Sequence, residues 1–246
     1  MLGNLRFRYE KAPVTEAVIE FRFAQPLGDA DPERIARRLE GKFPNKTSVL
    51  DVGVQVSPQG VGINQSQSGF RLTTKDELRI VIASKANVVS SVLAPYVGWD
   101  ELRQQSEVVL GAVNAVVGRP RMSRVGVRYI NRLDIPGTEI DMADWIRLSV
   151  SPPPELGQNL AEFAGRVVLP RLEGIVSALM FQSVPSPLID HTSVLLDIDN
   201  FIDQEVPLSD EALWVRLEEI RIHKNNIFEF CITEKTRALF GMKVQI

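Results

Sequence analysis

The order of local patterns along this chain occurs twice. From Pro13 it runs strand, helix, several short strands and a long helix ending near Gly118; from Met122 the same order starts again and ends near Ile232. A chain that repeats such a unit must bury two matching sets of apolar faces. The simplest solution is an α+β fold, an antiparallel sheet with the long helices laid on one face. The expectation is one compact unit over residues 1–246, built as a tandem pseudo-repeat with residues 1–120 as the first half and 121–246 as the second.

Period-two alternation marks the first strand, Val14 to Phe23. Ala17, Ile19, Phe21 and Phe23 share one face, while Glu16, Glu20 and Arg22 share the other. Asp31-Pro32-Glu33 opens a short helix, with Asp31 as the expected N-cap and Pro32 in the first helical position. Strands are predicted at Val49–Ser57, Gly60–Gln67, Phe70–Thr74 and Leu78–Ser84, divided by turns at Pro58-Gln59-Gly60, Gln67-Ser68-Gly69 and Lys75-Asp76-Glu77. A long helix follows Gly98, with Leu102, Val109, Val113 and Val116 at helical spacing.

In the second half, Val125, Val127, Tyr129, Leu133 and Ile135 alternate with Arg124, Arg128 and Arg132. A short helix is expected from Met142 to Leu148, then a stiff connector at Ser151-Pro152-Pro153-Pro154. Strands are expected near Glu162–Leu169, Ile175–Ser183 and Thr192–Ile202. The last long helix starts at Ser209 and carries Leu213, Leu217, Ile220 and Ile227; the tail from Thr236 shows no clear pattern.

Hydrophobic residues make up 44% of the 246, enough for a real core, and the net charge of -3 disfavours a generic nucleic-acid coat without excluding a local basic patch. One cysteine, Cys231, permits no internal disulfide, and the polar start MLGNLRFRYEKAP lacks a secretory core. Both point to a cytoplasmic protein. No apolar run approaches the ~20 residues of a membrane span, so no membrane partner is expected.

The charged strand faces hold the candidate binding residues. Arg124, Arg128 and Arg132 share a face, with no acid between residues 119 and 132. If the first strands of the halves are neighbours, Arg128 and Arg132 lie near Glu16 and Glu20; Asp197 and Asp199 form a matching acidic face. One reading is a solvated ladder of ion pairs, each contributing ~0.2–1 kcal/mol. The other is a ligand site in which guanidinium forks grip a phosphate or carboxylate. Asn131 falls on the apolar face beside Tyr129, so it is either a buried structural amide or the polar floor of a pocket.

Catalytic signatures are missing from the sequence: no phosphate-binding loop, dinucleotide glycine pattern, zinc spacing or nucleophile elbow. With two histidines and one cysteine, no cofactor and no transition metal are expected. Asp190-His191 reads as a turn, His223 as the edge of the core and Cys231 as a small hydrophobe.

Tyr9 through Ala17, the block Val125-Gly126-Val127-Arg128-Tyr129-Ile130-Asn131-Arg132, Leu196 through Asp199 and His223 through Thr233 resemble a sporadically distributed bacterial family of uncharacterised proteins of about this length. The resemblance implies no reaction and no catalytic residues. Its scattered occurrence implies a mobile-element or phage-defence setting.

Three functions fit these readings. The first is a non-enzymatic binding or interaction protein presenting a charged sheet face to a protein partner or to a second copy, as in a dimer. The second is nucleic-acid binding through Arg34, Arg37 and Arg38 with the arginines of 119–132. The third is a metal-dependent phosphodiester hydrolase built on Asp197 and Asp199.

Overall fold

The computed structural model describes residues 8–57, 60–151, 153, 155 and 160–243. The expected turn at Pro58-Gln59-Gly60 and the connector at Ser151-Pro152-Pro153-Pro154 include residues outside these. The elements are β1 (Arg8–Tyr9), β2 (Val14–Phe23), α1 (Asp31–Leu39), β3 (Asn45–Ser57), β4 (Gly60–Thr73), β5 (Arg79–Ser84), β6 (Asn87–Leu93), α2 (Trp99–Val117), β7 (Met122–Pro136), a 3₁₀ turn (Met142–Asp144), β8 (Ala164–Leu172), β9 (Ile175–Val184), β10 (His191–Ile202), α3 (Asp210–Cys231), α4 (Glu234–Leu239) and β11 (Met242–Lys243). The fold is α+β. Nine strands form an open antiparallel sheet in the order β3-β4-β5-β6-β2-β7-β10-β9-β8, and β1 pairs separately with β11. Among the described residues no helix is long and apolar enough to cross a membrane.

By contact density the described residues fall into two compact units. One draws on Met1–Ala17, Ala94–Tyr96 and Gly126–Ile246, the other on Val18–Leu93 and Val97–Val125.

In the unit of residues 18–125, α2 buries Leu102, Val109 and Val113 of the expected stripe together with Leu110, while Val116, near the end of the helix, is only partly buried. Gln105, buried in the same stripe, donates to Ile80 O, Ser90 Oγ and Ser91 O at 3.2, 2.9 and 3.1 Å, fastening the helix to β5 and β6. The expected N-cap Asp31 is instead the first residue of α1, preceded by Ala30, and its carboxylate accepts from Gly28 N and Arg34. The turn predicted at Gln67-Ser68-Gly69 is not a turn. β4 runs straight through it, and a register shift opposite Val49 and Leu50 takes up the extra residue. Gly69 serves close strand approach: a Cβ there would lie 2.2 Å from Ala83 O.

In the unit that includes residues 126–246, Leu133, Ile135, Leu179, Phe181, Leu196, Ile198, Ile227 and Phe228 form one core with Trp145, Ile146 and Phe240. The short helix expected to reach Leu148 stops after the single 3₁₀ turn. Asp141 caps that turn by accepting from Ala143 N at 3.0 Å. Ile146 then bridges to Ile232, and Arg147 N donates to Cys231 O at 2.8 Å. Cross-chain bonding thus consumes the backbone groups a longer helix would use. The unpatterned tail holds α4, capped by Thr233, and β11.

Candidate functional site

β7 carries the candidate residues on both of its faces. Tyr129 and Asn131 point toward α3. Asn131 is buried and donates to Leu196 O at 3.1 Å and Tyr129 O at 3.4 Å, so its amide ties β7 to β10. Arg124, Arg128 and Arg132 alternate with these residues and point the other way.

Each arginine of that row has a carboxylate partner. In the unit of residues 18–125, Arg124 Nη1 bonds Glu20, whose carboxylate also accepts from Asn87 at 2.7 Å and Arg22 at 3.2 Å. In the other unit, Arg128 grips Asp197 with two parallel bonds, Nε to Oδ1 at 2.8 Å and Nη2 to Oδ2 at 2.5 Å. Hydrogen bonding to Asp197 raises the Arg128 pKa further, and the charges of Asp199 and Glu16 add to it. Glu16, Asp197 and Asp199 therefore all act on Arg128, whereas Glu20, expected near Arg128 and Arg132, pairs with Arg124. Arg132 does not join them. It pairs with Asp134, two residues on and on the same strand face, at 3.0 Å, and Asp134 also accepts from Ser193 at 2.6 Å.

The bidentate pair is asymmetric in its exposure. The Asp197 side chain is 9% exposed and that of Arg128 45%. Removing the arginine would strand a buried carboxylate, unlike a solvated surface pair. Arg128→Ala is therefore expected to lower stability by about 2 kcal/mol, with Arg128→Ala/Asp197→Asn recovering about half of it, measured by urea unfolding.

Composition alone did not reveal the second cluster, on the α3 side. Lys224 is buried, and its ammonium lies 3.5 Å from the centre of the Tyr129 ring. The Tyr129 hydroxyl shares a 2.6 Å hydrogen bond with Tyr96, and the two rings meet edge to face at 5.5 Å. Among the described residues the Lys224 amine has no carboxylate partner. Burial, helped by the charge of Arg221, lowers its pKa to about 7, and burial holds Tyr129 well above its ordinary value. A signal did exist in the sequence: Lys224 falls between Ile220 and Ile227, at core spacing on α3.

Further along α3, Tyr9 donates to both oxygens of Glu229 at 2.8 Å, and Arg237 Nε donates to the same carboxylate at 2.9 Å. His223 packs against the core edge with Nε2 3.2 Å from the buried Ser177 hydroxyl, and burial lowers its pKa. It lines a cleft of about 330 Å³ with Ile175, Arg216, Glu219 and Asn226. His191, expected in a turn, is instead the first residue of β10, directly after the turn, with its Nδ1 2.7 Å from Ile189 O. Burial raises the Cys231 thiol to about 12, so it is not a ready nucleophile.

Asp197 and Asp199 do not assemble a metal shell: among the described residues no three His, Cys, Asp or Glu side chains come together in one. Of the three α1 arginines proposed for nucleic-acid contact, two are also paired, Arg34 with Asp31 at 2.9 Å and Arg37 with Glu33 at 3.1 Å. No protein-family model matches the chain, and no curated protein matches it in sequence.

Proposed function

We propose that this chain is a non-enzymatic binding or interaction protein, and that its contact face is the charged strand face around Arg128. The carrying observation is the geometry of Arg128. Two of its five N–H donors are spent on a buried carboxylate, and the half-exposed remainder stands pre-oriented toward solvent. A guanidinium held this way loses little side-chain freedom when a partner carboxylate or phosphate accepts from it.

The finer architecture belongs to the same reading. A tandem pseudo-repeat of residues 1–120 and 121–246, closed into one compact unit with its long helices on one face, would leave the opposite face for a partner. The strand order supports it. Outward from β2 come β6, β5, β4 and β3; outward from β7 come β10, β9 and β8, and in sequence each run of strands is followed by a long helix, α2 or α3. The resemblance to a sporadically distributed bacterial family supports a mobile-element or phage-defence setting in the cytoplasm.

The test is affinity capture from the native host with wild-type, Arg128→Lys and Arg128→Gln baits, followed by titration of the purified partner. The expected result is a partner whose affinity falls roughly tenfold or more with Arg128→Gln. Identical affinity for all three baits would remove the charged face from the function. Anisotropy with a short single-stranded oligonucleotide checks the nucleic-acid alternative, which requires binding that weakens steeply with salt.

A further inference from the structure

β8 is the last strand of the nine, and it is exposed on both faces. Val167 and Leu169 are 37% exposed on one face, Val168 is 49% exposed on the other, and Met180 of β9 lies open at 38%. Edge strands are usually protected by charge, brevity or cover, because their free N–H and C=O groups recruit other strands. Here the strand is nine residues long, with an apolar triplet at its middle.

The backbone fixes which groups face outward. Ser183 N donates to Phe163 O at 3.0 Å, and from Ala164 to Leu169 the β8–β9 register pairs residues whose numbers sum to the same value as these two. Odd-numbered residues of β8 therefore bond to β9, and alternation turns the N–H and C=O groups of Ala164, Arg166 and Val168 to the open edge. Pro170 has no N–H to give, and the β8–β9 register shifts between Leu169 and Leu172, so the donor row ends there.

We infer that β8 pairs antiparallel with β8 of a second copy of this chain, about a two-fold axis at Val168. In that register Val168 faces Val168 of the second copy, and Val167 and Leu169 each face the other's equivalent. The apolar triplet is thus its own complement, as a two-fold contact requires. The charges fit as well. Arg171 is drawn back to its own chain by Asp203 at 2.8 Å and Gly174 O at 3.1 Å. Arg166 has no ion-pair partner among the described residues; in this register it falls opposite the uncharged Pro170, four residues along the strand from the other copy's Arg166. Shifting the axis to Arg166 would set two guanidinium groups against each other, which is unfavourable. The surface is separate from the Arg128 face, so it can hold whether or not that face binds a partner.

The experiment uses the full chain in sedimentation velocity over two decades of concentration, with wild type, Val168→Lys and Val168→Glu. Because Val168 is exposed, neither variant should change the thermal midpoint by more than a degree or two. Wild type should dimerise reversibly. Each single variant should weaken dimerisation roughly tenfold or more, because two like charges then meet on the axis. Mixing the Lys and Glu variants should restore a dimer containing one of each. A wild type that stays monomeric overturns the inference, as does a dimer indifferent to both variants or a mixture that fails to recover. Loss of partner binding with Arg128→Gln while wild-type dimerisation persists would separate the two surfaces.

Discussion

Replacing Lys224 with methionine is expected to stabilise the protein at pH 7 by about 3 kcal/mol. The buried amine has a pKa of about 7 in the folded chain against an ordinary lysine value of 10.5. A gap of that size corresponds to several kcal/mol, because each unit is worth about 1.4 kcal/mol. Loss of the contact with the Tyr129 ring offsets part of the gain. The sign follows from proton linkage. A depressed lysine pKa means that the unfolded chain binds the extra proton, so the stability tied to the neutral amine is complete above 10.5 and is lost as pH falls toward 7. Tyr129 and Cys231 oppose this at the alkaline end. Their folded values are raised, so their contributions are intact below about 10 and 9 and fade above. Wild type should therefore gain stability from pH 7 to about 9, hold it to about 10 while the Lys224 gain and the Cys231 loss offset each other, and lose it above. Lys224→Met should show little of the rise. Urea midpoints measured across this range check both statements, and equal slopes for the two proteins would contradict them.

The second large effect is expected at Arg237. Its guanidinium is 8% exposed and joins a Glu229 carboxylate that is 5% exposed, and Tyr9 closes the other side. Arg237→Ala leaves a buried carboxylate with only the tyrosine, which should cost about 3–5 kcal/mol. Adding Glu229→Gln to Arg237→Ala should recover part of this by removing the stranded charge. A double mutant as unstable as the single one would show that the loss comes from packing of the long side chain. The difference is read from chemical denaturation of the three proteins.

Strict alternation made β2, β7 and β10 legible from the residues alone, because each has one apolar face, and the apolar spacing of α2 and α3 did the same for the helices. Gly69 misled because glycine in a turn and glycine under a crowding strand leave the same mark. The chain after Asp141 misled because its backbone bonds run from Ile146 and Arg147 to Ile232 and Cys231, more than eighty residues away in sequence. At the charged face the row of arginines was visible, but their partners were not. Arg128 took Asp197 from a strand distant in sequence, whereas Arg132 took the acid two places on, a choice that strand periodicity already allowed. Lys224 was hidden by its type. A lysine between two isoleucines reads as an interruption of the stripe until the Tyr129 ring beneath it is seen.

Tyr9 has a consequence for the order of events on the ribosome. Its partner Glu229 stands 220 positions later, and the strand containing it pairs with Met242 and Lys243. The unit to which it belongs is thus stitched from segments far apart in sequence and can close only after residues 229–243 have been synthesised. The unit of residues 18–125 is almost contiguous and can fold while the remainder is still being translated. The nascent protein should accordingly pass through a stage with one half set and the other waiting. Release of chains truncated near residue 125 would find that first unit protected from protease.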